Sequence, residues 1–273
     1  MNKNPEIGAT IETGSFATNY HDIGSGHPVL LLHGSGPGVS AWANWRLTMQ
    51  SLAPEFRCVA PDLAGFGYSM VDHQADFNNQ YWMDQIITLL DRLELESVHV
   101  IGNSFGGSLA LALAIAAPER VKKLVLMGSV GIPFELTKGL DAVWGYEPSM
   151  ENMRAIMSVF AFDQTLLGDE LVRMRYEASI RPGIYESYSR MFPAPRQRWV
   201  DAMSHSESEI RSIAHSTLLV HGRDDKVIPV SNSKTLLDWI HNSQLHVYGR
   251  CGHWTQIERR SEFPKLVSNF LHE

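Results

Sequence analysis

Short continuous runs of Val, Leu and Ile recur at wide spacing along the chain, at residues 28–33, 56–60, 98–102, 124–128, 217–221 and 245–248. Continuity, rather than strict alternation, predicts parallel strands buried on both faces. Between them, apolar residues return at helical spacing. Trp82, Ile86, Leu89, Leu90 and Leu93 form one stripe, and Phe263, Leu266, Val267, Phe270 and Leu271 form another. This alternation predicts an α/β fold, with a mostly parallel central sheet and helices on both faces. Residues 7–23 read as an antiparallel hairpin that opens the sheet. The rhythm breaks between about 133 and 212, a stretch rich in Met, Trp, Tyr, Phe and Arg that reads as helices without intervening strands. Two ordinary strands and a helix follow, which favours an inserted helical cap over a separate helical domain. The expected organisation is a core of residues 1–132 and 213–273, with a cap of residues 133–212. No repeat or low-complexity segment is present.

The richest motif is Gly102-Asn103-Ser104-Phe105-Gly106-Gly107. It follows a strand and precedes an Ala/Leu-rich run with strong helix propensity. A serine on such a strand–helix turn takes a strained conformation that lifts its hydroxyl above the sheet, and the glycines admit the neighbouring backbone. Ser104 is therefore the expected nucleophile. A hydroxyl needs a base, and the base an orienting carboxylate. Asp225 and His253 each follow a strand, as Ser104 does, so all three fall where an open α/β sheet places its site. Asp224 competes with Asp225, but Asp225 has the Gly-x-x-Asp-x-x-x-Pro spacing, from Gly222 to Pro229. Among the twelve histidines, His253 stands out by its place after the last strand and beside Gly252. His33, His221 and His246 lie in or at the ends of strands and read as structural.

The loop His33-Gly34-Ser35-Gly36-Pro37-Gly38 follows the first core strand and can bring a backbone N–H close to a substrate. The N–H groups of Ser35 and Phe105 are the expected oxyanion donors. The loop lacks the Lys-Ser/Thr of a phosphate-binding loop and the Gly-x-Gly-x-x-Gly fingerprint. No His/Cys/Asp cluster has metal-ligand spacing, so neither metal nor cofactor is expected.

Composition narrows the classes further. The net charge of −7 comes without a Lys/Arg stripe, which argues against nucleic acid as a partner. Residues 1–6 lack the apolar core of a signal peptide, and the longest apolar run is far too short to span a membrane. Two cysteines, Cys58 and Cys251, make no disulfide framework, and a reducing cytoplasm is the simplest location. Cys251 reads as a packing residue rather than a reactive thiol, because Ser104 already supplies a nucleophile.

With these residues in place, the chain resembles the α/β-hydrolase superfamily over essentially its whole length. Within it, the chain is similar to the meta-cleavage product hydrolases, which cut a carbon–carbon bond in ring-fission products of catechols. The matching segments are His33 to Gly38 with Ala41 to Arg46, then Gly102 to Gly107, Ala178 to Gly183, Phe192 to Trp199 and Cys251 to Glu258. The cap segments point to the branch acting on monocyclic products.

The resemblance implies a 2-hydroxy-6-oxohexa-2,4-dienoate substrate, bearing a carboxylate, an enol and a distal carbonyl. It assigns Arg181 to the carboxylate, and Asn44 and Asn103 to polar contacts near the carboxylate and enol. Trp254 would wall the site, while Trp144 and Val227 would line the distal pocket. It also suggests a homo-oligomer. Two rivals remain: a carboxylesterase using the same Ser-Asp-His set, and a catalytically idle small-molecule receptor. A haloalkane dehalogenase is disfavoured, since that chemistry needs an aspartate at position 104.

Overall fold

The computed structural model describes residues 4–69, 71 and 75–273, so the first three residues of the N-terminal segment 1–6 lie outside the described residues. Among these, eight strands form one sheet: β1 (Ala9–Glu12), β2 (Ala17–Ile23), β3 (Pro28–Leu32), β4 (Arg57–Pro61), β5 (Val98–Asn103), β6 (Val121–Met127), β7 (Thr217–Gly222) and β8 (Ser243–Tyr248). Their order is β1-β2-β4-β3-β5-β6-β7-β8. The hairpin β1–β2 and the β2–β4 pair are antiparallel, and every other neighbouring pair is parallel.

Side-chain alternation divides the core in two. Val29 and Leu31 of β3 face one side with Ile101, Val125, Leu218 and Val220, against α1 (Ala41–Leu52) and the C-terminal helix Phe263–His272. Leu30 and Leu32 face the other side with Val100, Leu124, Leu126 and Leu219, against α2 (Asn79–Arg92) and α3 (Phe105–Ala116). A sheet covered on both faces explains why the strands read as continuous apolar runs. Two strands differ from that reading. β6 begins three residues earlier than its apolar run, because Lys122 and Lys123 interrupt the pattern while Val121 still pairs with Val98. β8 is half exposed rather than buried, since it stands at the sheet edge and pairs only with β7.

Between β6 and β7 lie α4 (Lys138–Trp144), α5 (Met150–Phe160), α6 (Asp169–Ser179), α7 (Ile184–Met191), α8 (Gln197–Ala202) and α9 (Glu207–Arg211). The last of these packs against α3 and against α10 (Val230–Trp239), on the core side. After β8 come α11 (Thr255–Glu258) and the C-terminal helix, α12. No helix among the described residues is long and apolar enough to cross a membrane.

The strand order reverses between β3 and β5, since β3 connects outward to β4 while β5 returns to its other side. A crevice opens beyond the strand ends at such a switch point. The loops after β3 and β5 both emerge there, and their approach is extreme. A Cβ on Gly106 would lie 2.3 Å from the Leu32 carbonyl oxygen and 2.6 Å from that of His33. Because both obstacles are backbone, Gly106→Ala should destabilise the fold by about 3 kcal/mol or more. Denaturant unfolding of the variant checks this, and wild-type stability would show that the two loops can separate freely.

Candidate active site

Ser104 sits between β5 and α3 at φ 54°, ψ −114°. This is a positive φ on a residue with a Cβ, a strained state that persists only when its surroundings hold it. The Ser104 amide donates to the Met127 carbonyl of β6 at 2.9 Å, and its carbonyl accepts from Gly107 and Val130 at 3.0 and 3.1 Å. Bonds within α3 and to the chain at and just beyond the end of β6 thus fix the turn. Phe105 is the first residue of α3, so its amide belongs to the unpaired N-terminal turn that attracts negative charge.

Asp225 lies three residues beyond β7, and its side chain is 1% exposed. Its Oδ1 accepts from the Val227 and Ile228 amides at 2.7 and 3.0 Å, and its Oδ2 meets His253 Nδ1 at 2.7 Å. Burial opposes ionisation of this carboxyl. The charge and hydrogen bonds of His253 and His221 outweigh it and hold the carboxyl well below the usual range. An ionised Asp225 fixes the proton on His253 Nδ1 and leaves Nε2 free as a base. Asp224 takes a different course, pairing with Arg223 and accepting from the Cys251 amide.

Ser104, His253, Ser35, Asn44, Asn103, Arg181, Val227 and Trp254 all line one cavity of about 560 Å³. Its near wall is the set of strand-end loops, and its far wall comes from α4, α5 and α6. Asn103 Nδ2 donates to Met127 at 3.3 Å, whereas Asn44 Nδ2 is buried without a partner in the protein. Trp254 stacks on Phe160 at 5.1 Å between ring centres. Arg181 lies between α6 and α7. Its guanidinium donates to the Gly67 carbonyl at 2.9 Å and rests 3.9 Å over the Tyr68 ring.

One expectation is corrected. Trp144 does not line this cavity: it is 2% exposed, stacked on Phe192 at 4.5 Å, and its indole N–H donates to Ser35 Oγ at 2.9 Å. A buried indole N–H needs an acceptor, and here the hydroxyl of Ser35 in the loop after β3 supplies it. Tyr188 of α7 reaches the same loop, its hydroxyl lying 3.0 Å from the Ser35 carbonyl and 2.7 Å from that of Val143.

Other contributors carry no sequence signal. Phe160, the last residue of α5, accepts from the His253 amide at 2.7 Å and stacks on its ring. Glu258 accepts from the Gly252 amide at 2.7 Å and from the Phe162 and Asp163 amides at 2.9 and 2.8 Å, tying the His253 loop to the inserted segment. Tyr68, Glu6, Arg46 and Arg175 line the Arg181 end of the cavity. There Arg175 is neutralised by Glu6 at 2.8 Å. Cys251 is fully buried, and burial pushes its thiol up to about 11, as befits a packing residue.

The family described as the α/β hydrolase fold matches residues 27–260. A 2-hydroxymuconate semialdehyde hydrolase of Pseudomonas sp. (strain CF600) is 56% identical over 269 residues, covering 98% of this chain and 95% of that protein. A 2-hydroxy-6-oxo-2,4-heptadienoate hydrolase of Pseudomonas putida is 55% identical over 270 residues, covering 99% and 98%. A solved meta-cleavage product hydrolase from Pseudomonas fluorescens IP01, a serine-to-alanine mutant complexed with acetates, is similar with a TM-score of 0.97. It is 52% identical, over 98% of this chain and 99% of that one.

Trp144→Phe keeps the ring stack and removes only the bond to Ser35. It should lower kcat by about threefold to tenfold, by the same factor for substrates of different size, in line with one lost hydrogen bond. Steady-state kinetics on a size series checks this, and a changed size preference with kcat intact would return Trp144 to the pocket wall.

Proposed function

The chain belongs to the meta-cleavage product hydrolases of the α/β-hydrolase fold, and on that premise we propose that it hydrolyses the C5–C6 bond of 2-hydroxy-6-oxohexa-2,4-dienoates. The substrate would be 2-hydroxymuconate semialdehyde or a 6-alkyl analogue, and the products 2-hydroxypenta-2,4-dienoate and a small carboxylic acid. In this reading Ser104, His253 and Asp225 do the chemistry, Ser35 and Phe105 supply the oxyanion donors, and Arg181 anchors the carboxylate. The observation that carries it is one cavity with Ser104 and His253 on one wall and a held guanidinium, Arg181, on another. A simple esterase has no use for that guanidinium.

The steps follow from the geometry. Arg181 binds the carboxylate through charge-assisted hydrogen bonds, which fixes which end of the diene faces Ser104. Ketonisation moves the enol proton to C5 and leaves C3=C4 conjugated with the C2 carbonyl. His253 takes the Ser104 proton as the oxygen attacks C6, and the resulting oxyanion faces the Ser35 and Phe105 amides. Each such donor is typically worth about 3 kcal/mol in the transition state. Collapse breaks C5–C6, the bonding pair passes through C3=C4 to the C2 oxygen, and the resulting dienolate takes the proton held by His253, which gives the dienol product and returns His253 to a neutral base. Water, deprotonated by His253, then releases the acid from Ser104.

The test mixes the purified protein with the yellow ring-fission product of catechol and follows loss of colour, with Ser104→Ala and 4-nitrophenyl acetate alongside. Rapid bleaching by the wild type, at least about a thousandfold faster than by a folded Ser104→Ala protein, is expected, with feeble ester turnover. Brisk ester cleavage without bleaching would make this an esterase. Near-normal bleaching by Ser104→Ala would remove the serine from the mechanism.

A further inference from the structure

The Asp225 carboxylate carries a second imidazole. His221, in β7, is fully buried, and its Nε2 lies 3.3 Å from Asp225 Oδ2, the oxygen that meets His253. Its surroundings fix its proton. Nε2 also lies 3.0 Å from the Ile228 carbonyl, which only accepts, so Nε2 bears the hydrogen. Nδ1 lies 2.7 Å from the Ser233 hydroxyl of α10, which donates to it in the neutral ring. The Nε2–H is therefore donated to the Ile228 carbonyl, with Asp225 Oδ2 3.3 Å from the same nitrogen, while the Val227 and Ile228 amides occupy Oδ1.

We propose that His221 is a positioning residue for the reaction: it holds Asp225 Oδ2 in line with His253 Nδ1 and takes up part of the carboxylate charge, thereby setting the basicity of His253. The inference rests on the Ser104–His253–Asp225 reading above. One carboxylate oxygen thus faces two imidazole N–H groups, with a hydrogen bond from His253 at 2.7 Å and a longer electrostatic contact from His221 at 3.3 Å. Removing the His221 donor concentrates negative charge on the bond to His253 and stabilises its imidazolium, so His253 takes up a proton at higher pH.

The neighbouring groups leave this pair in control. Asp224 is engaged with Arg223 and the Cys251 amide, and Lys226 is exposed. The Cys251 thiol is neutral, Glu258 is occupied by three backbone amides, and Phe160 packs an uncharged ring against His253.

The experiment compares wild type, His221→Leu and His221→Gln in two pH profiles: kcat/KM for bleaching, and the rate at which a fluorophosphonate labels Ser104. In His221→Leu the acidic limb of both profiles should move up by about half a pH unit or more, with kcat several-fold lower and KM little changed. His221→Gln, which restores an N–H donor, should bring the limb back toward wild type. An unmoved limb in folded His221→Leu, or equal shifts in both variants, would overturn the proposal. If His221→Leu does not fold, Ser233→Ala decides, because it leaves the ring in place but weakens Nε2–H as a donor. A smaller shift of the same sign is expected there, and none would overturn it. His253→Ala is the control on the underlying reading. If that protein matched wild type, the dyad itself would fall, and His221 with it.

Discussion

The approach of the β5–α3 turn to the backbone of β3 is the constraint on which the rest of this molecule depends. Ser104 can hold φ 54° because its amide and carbonyl are both bonded, because Gly106 lets the turn pass within contact distance of β3, and because Gly102 lets the turn fold back on itself. The same closeness brings the Ser35 loop beside the start of α3. The proposed nucleophile and oxyanion donors thus come from a single packing event at the sheet's switch point. Strain at Ser104 is sustained by the sheet that buries β5 on both faces.

The inserted helices do more than cover this site. Trp144 and Tyr188 bond the Ser35 loop, Phe160 accepts from the His253 amide, the Phe162 and Asp163 amides tie to that loop through Glu258 of α11, and Thr137 donates to the Val227 carbonyl at 2.7 Å beside Asp225. The loops that carry Ser35, His253 and Asp225 therefore each have a partner in the segment between β6 and β7. That segment also forms the far wall of the cavity, so a change in its packing reaches those loops through named hydrogen bonds.

What was legible in the sequence was whatever local pattern encodes. The strands followed from apolar continuity, Ser104 from its glycines, and Asp225 and His253 from their places after β7 and β8. Arg181 came from resemblance, since nothing in an isolated Arg-Pro-Gly predicts a seat on Tyr68. What stayed hidden depends on side chains that meet across long sequence separations. Trp144 and Ser35 are 109 residues apart, and no periodicity encodes that bond. His221 read as a structural histidine because it sits in a buried strand. Only the fold of the 222–228 turn brings Asp225 back against it.

The central claim is that one cavity orients a dienoate between Arg181 and the Ser104 oxyanion donors. A crystal structure of the Ser104→Ala protein with 2-hydroxymuconate semialdehyde bound tests it most directly. The account predicts the substrate carboxylate on Arg181 and the C6 oxygen within hydrogen-bond reach of both the Ser35 and Phe105 amides. A reversed substrate, with its carboxylate at the amides and its carbonyl toward Tyr68, would contradict it.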